Sequence, residues 1–371
     1  MLYLTKPMIM QNTSHPSAFI KKEWVDIIRR TAAEAEQLGR LHPEQLDLIY
    51  QQKWFKALMP VEYGGLDLSL PELIKLQEAL SWADGSFGWV FTLCSGAGWF
   101  AGFIDPAIAP TLFVGEDTCL AGSGASTGQA VCTPGGYLLN GQWNYASGAH
   151  HATHFTANCI IKNGAETVLD KDGEPLVLPF IVDKKDVELL PTWKYMGMVA
   201  TGSHSFKINN LHVAKERRFK IDPACTTNNK KIYKYPFLQL AEATLAANIM
   251  GMATHFIDLA EGIIAQRTTL NKYTAPQQAL LTGMLAGIKG EMQIARNGLY
   301  DAVAASWDNA DDGALQQVST TSRLLARVAR QSVDGLYPYC GLQAASPDTE
   351  INRVWRDLHT ASQHTLLIFE S

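Results

Sequence analysis

Three blocks of different hydrophobic periodicity follow one another along this chain, and their order limits the fold more than any single residue does. From about Ser17 to Phe113 the spacing is helical. Apolar residues in KKEWVDIIRRTAAEAEQLGRL recur at intervals of three and four, and Pro43 and Pro71 stand where a missing N–H costs a helix nothing. The pattern then changes: VCTPGGYLLNGQW, HFTANCIIKNGAETVL, KDGEPLVLPFIV and HSFKINNLHV are short apolar or alternating runs split by Gly, Asn and Asp turn residues. These read as strands. After Val213 the charged passage KERRFKIDPACTTNNKKIYKYP reads as a linker, and beyond Pro236 long Ala- and Leu-rich stretches return to helical spacing. The expectation is a mainly α chain with a central β-domain, divided as 1–115, 116–222 and 223–371.

Charge and composition narrow the partners. With 47% hydrophobic and 18% charged residues the chain can bury large cores without disulfide staples, and a net charge of -5 supplies no basic field for nucleic acid. Six cysteines, Cys94, Cys119, Cys132, Cys159, Cys225 and Cys340, occur singly with no C-x-x-C pair, so a reducing compartment is expected. The start, MLYLTKPMIMQNTSHPSAF, lacks the charged, apolar and cleavage segments of a secretory leader, and the expected location is the cytoplasm. Gly85 to Ile104 is uncharged over a span that could cross a bilayer. Its five glycines, and flanking aspartates in place of Lys or Arg anchors, predict a buried helix instead. No G-x-G-x-x-G follows a strand, and no phosphate-binding loop is present.

Four stretches, in order, resemble the acyl-CoA dehydrogenase superfamily from about Ile20 onward. They are MPVEYGGLDLS with its Pro-x-x-x-Gly-Gly turn, YLLNGQWNYASGAHHATHF, PTWKYMGMVATGSHSFKINNLHV with a Trp-x-x-x-Gly-x-x-x-Thr-x-Ser frame, and NRVWRDLHTASQH. The resemblance implies an N-terminal helical domain, a middle β-barrel or sandwich and a C-terminal four-helix bundle. It also implies a flavin, FAD or FMN. A flavin ring has an apolar body and a polar edge, so its pocket needs aromatic walls, small residues and hydroxyl or N–H groups. Trp143, Ser147, Gly148, Trp193, Thr201 and Ser203 supply that mixture. Arg267 and Gln278 resemble the superfamily pair that reaches the pyrophosphate and adenine of a flavin in a neighbouring subunit. The aromatic-Gly pair expected just after the Arg is replaced by Leu270 and Asn271.

Which chemistry the flavin serves turns on the base. A dehydrogenase removes a proton alpha to a thioester and needs a tuned carboxylate, in many members a Glu eight residues after the Asp of the Arg-Asp pair. Here Arg356 and Asp357 are present, Thr365 occupies that place, and no Glu-Gly-Thr follows. Other members carry the Glu on the first helix of the bundle, where Glu242 stands, which keeps an acyl-CoA dehydrogenase as the alternative. His364, seven residues after Asp357 in RDLHTASQH, with DGSFGWV and the ASG at Ala146 to Gly148, resembles the flavin-dependent monooxygenases of the same fold. That branch implies the oxygenase component of a two-component system. A separate reductase supplies reduced flavin, dioxygen forms a flavin C4a-hydroperoxide, and His364 and Ser147 are the catalytic residues on a small aromatic or heterocyclic substrate. A flavin-free scaffold is a third class, opposed by the surviving flavin-facing stretches. His150, His151 and His154 lack nearby acidic partners in sequence and read as pocket-edge or strand residues, with no metal expected. The Ala-rich faces in TLAANIMGMATHFIDLA and LARVARQSVDGLY predict a homo-oligomer, a tetramer.

Overall fold

The computed structural model describes residues 14–369, so residues 1–13 of the stretch read for a leader lie outside the described residues. Among the described residues five α-helices come first: α1 Lys22–Leu38, α2 Pro43–Gln51, α3 Leu70–Ala83, α4 Gly85–Gly98 and α5 Ala109–Phe113. In α1 the buried stripe is Val25, Ile28, Ala32 and Ala35, as the spacing predicts. Pro43 opens α2 beneath a capping box of His42 and Gln45, and Pro71 stands in the first turn of α3 after a Ser69–Glu72 capping box. The uncharged Gly85 stretch is a buried helix, capped by Asp84 and followed by a 3-10 turn at Trp99–Gly102. Among the described residues no helix is long and apolar enough to cross a membrane.

Seven strands follow: β1 Leu120–Thr133, β2 Gly136–Ala146, β3 His154–Asn163, β4 Glu166–Thr167, β5 Val177–Asp183, β6 Glu188–Leu190 and β7 His204–Ala214. They form one hydrogen-bonded sheet in the order β4-β3-β1-β2-β7-β6, with β5 paired to β3. β1 and β3 run parallel, and every other pair is antiparallel. The register between β2 and β7 shifts between Trp143 and Ala146, where Tyr145 takes a positive φ of 65°. Such an irregularity re-aims the side chains beyond it.

The passage read as a linker is packed. It contains α6 Lys231–Lys234, and the buried Tyr233 donates its hydroxyl to the Leu58 carbonyl at 2.7 Å. Its charged composition conceals two aromatic anchors, Tyr233 and Tyr235, both buried. The last block is α7 Phe237–Thr269, α8 Ala275–Asp308, α9 Asp312–Leu336, α10 Leu342–Ala345 and α11 Glu350–Ala361. Residues Glu242 to Ala253 of α7 are buried without a break, and a helix covered on every side belongs at the centre. α7 packs against α3, α4, α9 and α11. At Gly251 an added Cβ would lie 2.3 Å from the Glu78 carbonyl oxygen, so the α3–α7 approach requires glycine there.

The two helical blocks, distant in sequence, share a single hydrophobic core, and the sheet holds a second one around Trp143, Phe155, Phe180 and Phe206. The Ala-rich faces from which self-association is expected are spent on this shared core: Ala243, Ala246, Ala247, Ala253, Ala326 and Ala329 are all buried within the chain.

Candidate active site

Ser147 leaves the end of β2 at the irregularity just described. Gly148 follows with φ +74°, and a Cβ there would lie 2.5 Å from the Cys94 sulfur, so the turn presses directly on α4. From α4, Trp89 donates its indole N–H to Ser147 Oγ at 3.2 Å. Ser147 Oγ meets Ser203 Oγ at 2.8 Å, Ser203 Oγ meets Thr201 Oγ1 at 2.6 Å, and Thr201 Oγ1 donates to the Met198 carbonyl at 2.7 Å. All four side chains in this row are buried. Gly148 N–H donates to the Thr201 carbonyl at 2.9 Å, tying the two loops together by backbone as well.

Trp193 braces the second loop, donating its indole N–H to the same Met198 carbonyl at 2.9 Å. Its ring stacks beside Tyr195 at 4.1 Å, and Tyr145 and Tyr195 are both exposed. The Met198 N–H donates to Asp357 on α11, as does Ser86 Oγ at 3.3 Å. Burial and the neighbouring Asp84 push the Asp357 carboxyl up to about 7. Asp357 thus holds the loop that carries Thr201 and Ser203.

His364 follows the end of α11, where its Nδ1 accepts the Leu366 N–H at 3.4 Å and its ring lies 6.3 Å from that of Trp89. Burial lowers its pKa below the ordinary 6.5, so the imidazole is neutral at pH 7. Ser147 and His364 line one cavity of about 250 Å³. Its other walls are Thr92, Leu93, Gly96, Ala97 and Phe100 before the sheet, residues 121–124 of β1, Thr156 and Asn158 of β3, and Leu240, Ala241, Thr244 and Leu245 of α7. Among the described residues no Asp, Glu, Lys or Arg lines it. A Cβ built at Gly96 or Gly124 would meet nothing within 4 Å. Small walls, an apolar body and buried hydroxyls at one edge are the donor set and shape a flavin ring or an aromatic substrate requires.

Several expected site residues lie elsewhere. Trp143 is wholly buried in the sheet core, stacked on Phe206 at 5.0 Å with its N–H donated to the Asn158 carbonyl at 2.9 Å. No face of it is left for a cofactor, because its position in β2 points it into the core. Glu242 is buried against Arg323 at 2.8 Å and accepts the Ser319 hydroxyl. Its neighbours Ala241 and Thr244 line the cavity while its own carboxylate turns toward α9. Arg267 holds the carbonyls of Tyr339 and Cys340 at 3.1 and 2.9 Å, and Gln278 donates to the Tyr273 carbonyl at 3.4 Å. Both stand apart from the cavity. His154 pairs with Asp183 at 3.5 Å, and burial drives His151 down to about 3. Trp89 was not singled out by sequence reasoning, though DGSFGWV contains it; a tryptophan in an apolar helix gives no signal until its partner is known.

Residues 243–369 match the family model described as acyl-CoA dehydrogenase, C-terminal domain. The chain is 26% identical to the flavin-dependent monooxygenase oxygenase subunit HsaA of Mycobacterium tuberculosis, covering 91% of this chain and 88% of that protein. It is 23% identical to indole-3-acetate monooxygenase of Pseudomonas putida, covering 91% and 87%. Its fold superposes with a TM-score of 0.83 on XiaF from a Streptomyces species, a structure in complex with FADH2 and glycerol, at 23% identity over 93% of this chain and 90% of that one. The helix-sheet-helix order, the loop frames that meet at Ser147 and these similarities agree: residues 243–369 match the acyl-CoA dehydrogenase C-terminal domain, and the chain is similar along most of its length to flavin-dependent monooxygenases.

Proposed function

We propose that this protein is the oxygenase component of a two-component monooxygenase acting on an uncharged aromatic or heterocyclic small molecule. The observation that carries the reading is the cavity itself, which Ser147 and His364 both line and to which no carboxylate contributes among the described residues. Proton abstraction alpha to a thioester needs such a base. Glu242, the base expected from the sequence, is spent on Arg323. The described lining likewise offers no Lys or Arg to an anionic substrate, whose buried charge would go unpaired.

Reduced flavin, when bound, supplies the two electrons and two protons with which one atom of dioxygen enters the substrate and the other leaves as water. The protein's part is binding, orientation and proton handling. Ser147 meets the polar edge of the ring, while Thr201 and Ser203 support it. Trp193 and Gly148 shape the loops on either side. Because His364 Nδ1 accepts a backbone N–H, its neutral form carries the proton on Nε2, from which it can donate into the cavity. FAD and FMN present the same ring. Arg267 and Gln278 are the residues we assign to the adenine side, across a tetramer interface to which exposed Ile294 and Leu342 contribute apolar area. We place the protein in the cytoplasm with a separate flavin reductase. The test is a reductase-coupled assay with a phenol and an indole against the same rings bearing a carboxymethyl group. Hydroxylated product from the neutral pair alone supports the reading; turnover confined to the carboxylates, or to an acyl-CoA, overturns it.

A further inference from the structure

The floor of the cavity is the sheet, and its side chains follow the alternation of a strand. Along β3, Phe155, Ala157 and Cys159 belong to the sheet core, while Thr156 and Asn158 take the opposite face and line the cavity. β1 lies beside them almost bare. A Cβ at Gly122 would fall 2.0 Å from Thr156 Oγ1, and one at Gly124 would meet nothing within 4 Å. The register of β1 against β3 shifts after Ser123, and there Asn158 Nδ2 donates to the Gly124 carbonyl at 3.0 Å. A carbonyl can only accept, so the amide nitrogen faces Gly124 and Oδ1 is turned away from it. Among the described residues Oδ1 accepts no hydrogen bond. The hydroxyls of the helical walls, by contrast, are already engaged: Thr92 donates to the Gly88 carbonyl at 2.8 Å and Thr244 to the Ala241 carbonyl at 3.0 Å.

Asn158 also stands at a definite distance from the hydroxyl edge. Trp143, four residues before Ser147, donates its indole N–H to the Asn158 carbonyl at 2.9 Å. β2 runs antiparallel to β1 and β3 parallel to it, so Ser147 lies about four strand residues, roughly 13 Å, along the sheet from Asn158. Gly124 is exposed and Asn158 half-buried, which puts the amide at the mouth of the cavity.

We propose that Asn158 is a specificity-determining residue whose Oδ1 accepts a hydrogen bond from a hydroxyl or ring N–H of the aromatic substrate, at the end remote from the oxygenated carbon. The inference rests on the substrate reading above and narrows its class from a neutral aromatic to one that carries a donor. A ring reacting beside Ser147 and His364 presents its far edge to the amide. A donor there pairs with Oδ1. An ether oxygen sets lone pair against lone pair, and a hydrocarbon edge strips water from Oδ1 without replacing it.

The test is equilibrium dialysis of protein saturated with oxidised FMN against 2-naphthol and 2-methylnaphthalene, in which a hydroxyl and a methyl of similar size exchange places. The same pair is run in the reductase-coupled assay. Wild-type protein binds the naphthol more tightly. In Asn158→Leu that preference falls about fivefold through weaker naphthol binding, as one partly solvated hydrogen bond is worth, and the assay shows the change in KM and not in kcat. Asn158→Ala does the same should the leucine disturb the strand. Gly124→Val fills the space beside the amide and weakens both ligands; unchanged binding of both would place the ring elsewhere and overturn the inference. A wild-type preference in both Asn158→Leu and Asn158→Ala likewise overturns it while leaving the oxygenase reading in place. Amide-dependent binding with no oxygenated product from either ring overturns the oxygenase reading and leaves the recognition site standing. Binding of neither ring by wild-type protein contradicts both.

Discussion

Buried polar networks of two kinds occur in the molecule, and they differ in charge. Toward α8 and α9 the helices enclose full ion pairs: Glu78 is held by Arg296 at 2.7 and 2.9 Å and accepts Tyr300, while Glu242 is held by Arg323 and Ser319. Toward the sheet, Trp89, Ser147, Ser203 and Thr201 form an uncharged row that ends at a cavity. The carboxylates of the charged networks are fully buried against complementary partners, so they hold helices together. The neutral row has an unused valence and open space beside it. A buried carboxylate in a flavoprotein is thus no indication of a base until its partner is known, and a row of plain hydroxyls can be the reactive edge.

The sharpest way to break this contrast is Arg296→Met. Removing one partner strands Glu78 in the core, and the expected loss of stability is about 3–5 kcal/mol, read from urea or thermal unfolding. A loss below about 1 kcal/mol would mean that the helical network is not what fixes α3 against α8. The cavity side should respond in function instead of stability. His364→Ala is expected to lower product formed per reduced flavin oxidised by about 100-fold, the lower range for a positioned acid or base, with unfolding little changed. Glu242→Gln should leave that yield at wild type, and a matching fall would return the carboxylate to the reaction. A smaller effect is expected from Ser147→Ala, which removes about 1 kcal/mol and weakens reduced-flavin binding about fivefold; unchanged affinity would leave Ser147 a turn residue only.

The smallest effect is on pH. A histidine whose folded pKa is lowered binds fewer protons folded than unfolded, so its contribution is full above the ordinary 6.5 and is lost as pH falls below it. His364 and His151 both act in this direction. Asp357 has the opposite sign: its carboxyl is raised to about 7, so its protonated form favours the fold and that contribution fades as pH rises from about 4 through 7. Asp357→Asn should therefore lessen the loss of stability between pH 5 and 8, and an identical profile would show that the carboxyl is not what titrates.

How much of this was legible in the sequence follows from range. Helices such as α1, with its stripe from Val25 to Ala35, and turns such as Pro43 and Pro71 are set by neighbours along the chain. Those were readable. Ser147, Gly148, Thr201 and Ser203 were found together because the loop frames around them resemble known flavin-facing loops. Trp143 was misplaced because an aromatic on a strand serves a core or a pocket according to which face it occupies, and in β2 it occupies the core face. Glu242 needed its partner Arg323, 81 residues away, to be understood. Trp89 needed Ser147, 58 residues away. The packed Tyr233 likewise escaped a reading based on local charge.

The most direct test of the oxygenase assignment is a single turnover. Protein is loaded anaerobically with reduced FMN and a neutral aromatic, mixed with isotopically labelled dioxygen, and the product weighed by mass spectrometry. The account predicts one labelled oxygen atom per product molecule, formed by the Glu242→Gln variant as by wild type and strongly reduced in His364→Ala. Unlabelled or absent product, together with bleaching of the oxidised flavin by an acyl-CoA that Glu242→Gln abolishes, would contradict it.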